Sequence, residues 1–161
     1  MNEIITPENK ELLTLILGDI RKQSYISAVQ SLQQNIKEHA ELIDVPVQHH
    51  FAPGVYMRQM DAKAGTLVVS KMHRTEHMNV LLKGSLTIAT ENGIEFLQAP
   101  CVIKSMPGTK RIGYFHEDTS WMTVHPTIET DLEKIEQQVI VPEAEEIKFL
   151  ESIQEIALCH G

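Results

Sequence analysis

The stretch from Gly65 to Gly84, GTLVVSKMHRTEHMNVLLKG, constrains the fold more than any other part of the chain. Two apolar runs lie on either side of a short polar break, and a glycine stands at each end, a pattern that predicts a strand, a turn and a second strand. His73 ends the first predicted strand and His77 begins the second. Alternation along the strands then predicts that both imidazoles point into the same space.

The same alternation assigns further side chains to that face. Besides the two imidazoles, it predicts an amine, an amide and three aliphatic side chains on that face. These residues are Leu67, Val69 and Lys71 on the first strand, and Asn79 and Leu81 on the second.

The spacing within this stretch resembles the first motif of the cupins, which reads Gly, five residues, His-x-His, three or four residues, Glu, six residues, Gly. Here Gly65, five residues, Lys71-x-His73, three residues, His77, six residues and Gly84 keep that spacing. Lys71 replaces the first histidine of the motif, and His77 replaces the glutamate. The resemblance implies a mainly β fold with flanking helices, a cupin-like double-stranded β-helix or jelly-roll barrel, whose interior holds a divalent metal.

A second cupin motif, built around Pro-x-Gly-x-x-His, supplies a further ligand in that family. Residues 107–111 read Pro-Gly-Thr-Lys-Arg, so Arg111 stands where the histidine would be, and His125 is available to supply the missing nitrogen. Residues 99–127, together with the first motif, also resemble small cupin-like proteins of bacteriophage and prophage genomes. That likeness covers roughly residues 46–140 and implies a viral or bacterial origin.

Residues 109–116 and 120–126 are predicted to pair as a hairpin around a tight connection at residues 117–119. This pairing assigns a mixed polar and aromatic face to the wall of a pocket. The predicted partners are Arg111 with His125, Gly113 with Thr123, and Phe115 with Trp121.

His73, His77 and His125 are the predicted metal ligands. Neutral imidazole donates a lone pair to Zn, Fe, Mn or Ni, and three such donors leave coordination positions open for water or substrate. The alternative is that each histidine is a hydrogen-bonded structural residue, which is the commoner role of a single histidine in a strand.

Arg111 and Lys71 are predicted to be buried or half-buried, where an unpaired cation is strongly disfavoured. They therefore require either a salt bridge, with Glu76 or Asp118 for example, or a bound carboxylate or phosphate. Other side chains on the predicted inner faces add a phenol, a second arginine, polar groups and an aromatic ring, whose alternative roles are structural. The predicted ligand-binding residues are Arg111, Lys71, Tyr56, Arg58, Asn79, Thr123 and Trp121.

The chain of 161 residues suits one core with additions at its ends. We predict an N-terminal helical segment over 1–44, a cupin-like β-barrel over 45–128 and a C-terminal helical segment over 129–161. The N-terminal segment is predicted as two helices, 6–23 and 24–42, with Thr6 as the first N-cap. Thr130 is the predicted N-cap of the first C-terminal helix. The apolar stripes of the two N-terminal helices must be covered by the barrel or by another subunit.

Composition and charge limit the partners. A formal charge of −8 argues against nucleic acid as the main partner, although a local basic pocket is allowed. There is neither a secretory signal nor an apolar run of membrane-spanning length, so we expect no membrane partner and a cytoplasmic location, in a bacterial cell or a phage-infected host. Two cysteines form no disulfide framework. We also expect a homo-oligomer.

The sequence therefore predicts a metal-binding cupin-like protein that holds a small anionic molecule in the barrel. Whether the protein converts that molecule, and so whether it is an enzyme, is left open. One alternative is a non-catalytic protein that binds or sequesters a nucleotide-like or sugar-like molecule. Another is a structural phage component.

Overall fold

A computed structural model describes residues 7–159 of the chain, with side chains described for residues 17, 18 and 20–153. A long helix precedes the strands, and two helices follow them. The helices are α1 (Pro7–His39), α2 (Leu132–Val139) and α3 (Glu146–Cys159). The strands are β1 (Val47–Ala52), β2 (Val55–Ala62), β3 (Leu67–Val69), β4 (Met72–His73), β5 (His77–Lys83), β6 (Ser85–Thr90), β7 (Gly93–Gln98), β8 (Cys101–Ser105), β9 (Ile112–Phe115), β10 (Thr119–Pro126) and β11 (Ile140–Val141).

The strands form two antiparallel sheets that pack face to face. One sheet has five strands in the order β1-β2-β10-β5-β8, and the other has four in the order β3-β9-β6-β7. The short strands β4 and β11 pair separately. The chain passes repeatedly from one sheet to the other, as in a jelly roll, so the prediction of a mainly β, cupin-like barrel with flanking helices is confirmed.

The apolar core lies between the two sheets. Ala62 and Leu81 from the five-stranded sheet pack against Leu86, Ile88 and Phe115 from the four-stranded sheet, and all of these side chains are buried. Each fully buried aliphatic or aromatic side chain stabilises the fold by about 1.5–3 kcal/mol relative to exposure. This core closes one end of the barrel interior and leaves the other end for polar side chains.

The predicted hairpin between residues 109–116 and 120–126 is wrong. Strand β9 pairs with β3 and β6, whereas β10 pairs with β2 and β5 in the other sheet. The connection crosses between the sheets because Asp118 is held by Lys63 and by the backbone N–H of Ala64, which precede β3. Arg111 and His125 therefore lie on opposite walls of the barrel, instead of being neighbours in one hairpin.

The first predicted strand of the Gly65–Gly84 stretch is interrupted. Ser70 and Lys71 separate β3 from β4, and β4 pairs with β11. The Ser70 hydroxyl accepts a hydrogen bond from the backbone N–H of Arg111, 41 residues further along the chain, and this bond takes the place of one ladder bond. The alternation predicted to carry Lys71 onto the inner face therefore stops before that residue.

The helix boundaries differ from the predicted ones. Helix α1 is continuous where two helices were predicted, because no glycine or proline stands near Ser24 to interrupt it. The predicted cap Thr6 lies outside the described residues. Asp131, and not Thr130, caps α2, since its carboxylate accepts from the backbone N–H groups of Glu133 and Lys134. In the part of the chain that the structure describes, no helix is both long enough and apolar enough to span a membrane.

Helices α1 and α3 hold the segment that precedes β9. Ile26 of α1 and Leu150 of α3 pack in one buried cluster with Met72 and Val141. The Tyr25 hydroxyl contacts the carbonyl oxygen of Lys110 at 3.0 Å, immediately before Arg111 in the chain. The helices thereby fix the backbone from which Arg111 enters the barrel.

The two glycines that bound the Gly65–Gly84 stretch provide a matched pair for a stability test. Both have positive φ, 84° and 88°, but a Cβ on Gly65 meets nothing within 4 Å, whereas one on Gly84 would lie 2.6 Å from the carbonyl oxygen of Asp118. We expect Gly65→Ala to lower the free energy of unfolding by about 1–2 kcal/mol, the backbone cost alone. Gly84→Ala should lower it substantially more. Urea unfolding of both variants measures the difference, and equal losses would contradict the tight contact at Gly84.

Candidate functional site

A cavity of about 540 Å³ lies between the two sheets, with α2 along one side. Every residue predicted to bind a metal or a ligand contacts this cavity. They are Tyr56, Arg58, Lys71, His73, His77, Asn79, Arg111, Trp121, Thr123 and His125. The structure thus brings together residues from five separate segments of the chain, although several of them are placed differently from the prediction.

Three histidines form a cluster at one end of the cavity. His73 comes from β4, His77 begins β5, and His125 lies near the end of β10. Their ring centroids are 4.3 Å apart for His73–His77, 5.0 Å for His77–His125 and 5.4 Å for His73–His125. His77 and His125 are buried, with 5% and 2% exposure.

Burial keeps these imidazoles neutral. Loss of hydration, reinforced by the neighbouring imidazoles, lowers the pKa of His73 to about 3. The same causes lower the pKa of His125 to about 4, and loss of hydration also lowers the pKa of His77. The Nδ1 of His77 lies 3.0 Å from the carbonyl oxygen of Thr75, so Nδ1 carries the proton and Nε2 keeps its lone pair. The Nδ1 of His125 is buried without a partner among the described residues.

The spacing of the rings can be compared with that of a metal centre. Imidazoles that share one ion at a Zn–N distance of about 2 Å have centroids roughly 5 Å apart, close to the observed separations. The rings are nevertheless stacked or tilted against one another, at interplanar angles of 17° to 37°. Among the described residues, no group of three His, Cys, Asp or Glu side chains has its donor atoms arranged to hold a metal ion.

The low pKa values predict how stability changes with pH. Below about pH 6.5 the unfolded chain binds protons at its histidines, while native His73 and His125 stay neutral down to about pH 3 and 4. The unfolded state then binds more protons, so the free energy of unfolding should fall as the pH drops from 6.5 to 5. Urea unfolding in EDTA measures this slope. The dependence of the free energy of unfolding on pH should be shallower in the double variant His73→Gln/His125→Gln than in the wild type. An equal slope in that variant would contradict the prediction.

Arg111 is a half-buried cation on the opposite wall. Its Nη1 donates to the Ser105 hydroxyl at 2.7 Å, and its Nε is buried without a partner among the described residues. The predicted alternative of a salt bridge holds for Lys71, which pairs with Glu136. It is wrong for Arg111, because Glu76 pairs with Lys104 and Asp118 pairs with Lys63. No described carboxylate lies within 4.0 Å of the Arg111 guanidinium.

The other basic residues lie nearer the mouth of the cavity. The prediction that Lys71 is buried is wrong: its side chain is 65% exposed and pairs with Glu136 of α2. Arg58 lines the cavity but is exposed, and no described carboxylate pairs with it. The charged residues that line the cavity are Arg58, Lys71, Arg111 and Glu136. With the histidines counted as neutral, their formal charges sum to +2. The cavity is therefore positive in a chain whose formal charge is −8.

Tyr56 lies beside the histidine cluster. It is buried, and its ring stacks on that of His125 with a centroid distance of 6.0 Å. Its hydroxyl lies 2.7 Å from the Nδ1 of His49, a cavity residue at the solvent side. Loss of hydration raises the pKa of Tyr56, so the phenol keeps its proton.

Sequence reasoning missed two contributions to the site. Ser105 on β8 is buried and accepts hydrogen bonds from both Asn79, at 2.7 Å, and Arg111, so it fixes the amide and the guanidinium relative to each other. Helix α2 lines the cavity with Ile135 and Val139. These two residues are four positions apart and so lie on one face of a helix, but no signal in the sequence assigns that face to the mouth of the barrel.

No protein-family model matches the chain, and no curated protein matches its sequence. Solved structures do show similarity. A cupin-2 domain containing protein from Shewanella frigidimarina is 14% identical, with a TM-score of 0.42, over 60% of this chain and 92% of the other.

Two further structures have a similar degree of likeness. A putative ethanolamine utilization protein Q from Salmonella typhimurium is 12% identical, with a TM-score of 0.47, over 57% of this chain and 76% of the other. KdgF from Halomonas sp. is 12% identical, with a TM-score of 0.47, over 59% of this chain and 91% of the other. Identities and scores at this level assign no ligand or activity to this chain.

Proposed function

We propose that this protein binds a divalent transition metal and a small anionic molecule together inside its barrel. The observation that supports this most strongly is the pairing of two features in one cavity. Three neutral imidazoles have centroids within 5.4 Å of one another. Beside them stands a half-buried arginine that no described carboxylate neutralises.

His73, His77 and His125 are the residues that would hold the ion. Neutral imidazoles with free lone pairs suit Zn, Fe, Mn or Ni, and no competing proton has to be removed at neutral pH. The χ2 torsion of histidine is broad, so the rings would turn about it to aim their nitrogen donors at a common ion. When bound, such an ion would act as a Lewis acid or activate water.

The chain's own residues would bind and orient the anion. Arg111 offers a planar fork for a carboxylate or phosphate, and Ser105 holds that fork in place. Arg58 adds a second cation nearer the solvent, and Asn79 and Thr123 add polar groups between the two arginines. Tyr56 is held as a neutral phenol that can donate to a ligand oxygen near the histidines.

The proposal covers binding and leaves conversion of the anion open. Homo-oligomerisation, a cytoplasmic location and the relation to bacteriophage and prophage proteins stay predictions from the sequence.

Elemental analysis of protein purified without added metal tests this function. We expect close to one equivalent of a transition metal per chain, lost in His73→Ala and in His125→Ala. His50→Ala is the matched control, because His50 lies on β1, hydrogen-bonds Gln59 and does not line the cavity. It should retain the metal. Metal-free protein that carries a tightly bound anion would instead support the non-catalytic binding alternative, and protein with neither would overturn the proposal.

A further inference from the structure

The cavity changes character along the strands of the five-stranded sheet. Inward-facing residues that are paired across neighbouring strands form successive rows on this sheet. The rows are about 7 Å apart, because every second residue of a strand faces inward and two residues span that distance. His125 and Tyr56 form the row at the histidine end. The next row is polar, with Asn79, Thr123 and Arg58, and the third is apolar, with Leu81, Trp121 and Met60.

The four-stranded sheet repeats this gradient on the opposite wall. Arg111, bonded to Ser70, lies at the polar end, and Ser105 ties it to Asn79 in the middle row of the other sheet. Phe115 pairs with Leu86 four residues further along, at the apolar end. Both walls therefore present polar or charged groups toward the histidine end and aliphatic or aromatic surface at the other.

Gly113 lies between these two ends and leaves space open. It lines the cavity in the row with Ile88. A Cβ at this position would lie 3.4 Å from Leu86 Cδ1 and 3.9 Å from Phe115 Cε2, which are ordinary van der Waals distances. A methyl group would thus fit at van der Waals contact, and the absence of a side chain leaves a passage between Arg111 and the apolar end.

We propose that the bound anion is a carboxylate with an apolar body, an aliphatic or aryl-substituted acid. The carboxylate binds at Arg111, and the body extends past Gly113 to Trp121 and Phe115. This inference rests on the proposed function for the anion and adds the class of molecule. It disfavours sugar-like and nucleotide-like ligands, because each hydroxyl placed against the apolar end loses its hydration without gaining a hydrogen-bond partner.

The fluorescence of Trp121 can report ligand binding, since Trp121 is the only tryptophan of the chain and lines the apolar end of the cavity. We would titrate the protein with 4-phenylbutanoate, acetate, glucuronate and inorganic phosphate, following Trp121 emission and the heat of binding. 4-Phenylbutanoate should bind at least tenfold more tightly than the other three and change the emission. Glucuronate or phosphate binding as tightly as 4-phenylbutanoate would overturn the inference.

Gly113→Val and the milder Gly113→Ala test the passage directly. Gly113→Val should weaken 4-phenylbutanoate at least tenfold and leave acetate unchanged, with Gly113→Ala intermediate. Circular dichroism and the melting temperature verify that each variant is folded. Unchanged 4-phenylbutanoate affinity in a folded Gly113→Val would contradict the passage.

A neutral isostere separates this inference from the proposed function. If 4-phenylbutanamide binds as tightly as the acid, the proposed anion site is contradicted and the proposed apolar body of the ligand is supported. If all carboxylates bind equally and need Arg111, the anion site is supported and the apolar body is contradicted. Absence of binding by every probe would overturn both.

Discussion

Arg111→Gln is expected to weaken binding of a small carboxylate such as hexanoate by about 10- to 100-fold, the range for losing a charge-assisted hydrogen bond. The substitution removes the one guanidinium in the inner part of the cavity and keeps much of its length. Because Arg111 is a half-buried cation without a described carboxylate partner, the free energy of unfolding should stay unchanged or rise. Calorimetric titration and urea unfolding measure the two quantities.

Lys104→Gln is the matched control for this result. It removes the same charge from a side chain that is 55% exposed, pairs with Glu76 and does not line the cavity. Its affinity for hexanoate should equal that of the wild type. Equal losses in both variants would mean that only the overall charge matters, and wild-type affinity in Arg111→Gln would refute the anion site.

Glu146→Ala is expected to cause the largest loss of stability, about 3–5 kcal/mol, the range for leaving one member of a buried ion pair alone. Lys110 and Glu146 are both 1% exposed, and Lys110 Nζ donates to Glu146 Oε1 at 2.7 Å. Gln33 and Gln30 complete the cluster from α1. Without the carboxylate, the Lys110 ammonium keeps only one neutral acceptor in a site that water does not reach.

A double variant distinguishes a charge effect from a packing effect. Lys110→Met/Glu146→Met replaces both charges by apolar side chains of similar volume, so it should recover most of the stability that Glu146→Ala loses. Urea unfolding of the single and double variants gives the coupling free energy. If the double variant is at least as unstable as Glu146→Ala, the cluster does not act through an unpaired charge. Since Lys110 precedes Arg111, hexanoate affinity should also fall in Glu146→Ala.

The proximity of His73 and His77 could be predicted from sequence because only one short break between strands separates them. His125 was assigned to the same site through a hairpin that the structure does not contain, so its position near them follows from the pairing of β10 with β2 and β5. The pairing of β9 and β10 could not be predicted in this way. A three-residue connection at 117–119 is compatible with a hairpin or a crossing, and the contact of Asp118 with Lys63, distant in sequence, selects the crossing.

The other differences between the predicted and the observed site also arise from contacts between residues that are distant in sequence. Lys71 was assigned to the inner face from alternation, but Ser70 bonds the backbone of Arg111, about forty residues away, and ends the strand. Ser105 became part of the site only through the pairing of β8 with β5, opposite His77. Such contacts depend on which strands are neighbours, information that the spacing of residues within one segment does not contain.

Metal binding by the three histidines is tested by a crystal structure with anomalous scattering recorded at the absorption edge of the metal found by elemental analysis. We expect one anomalous peak in the cavity, about 2 Å from a nitrogen atom of each of His73, His77 and His125. A cavity without a peak, or a peak bound only at the protein surface, would contradict it.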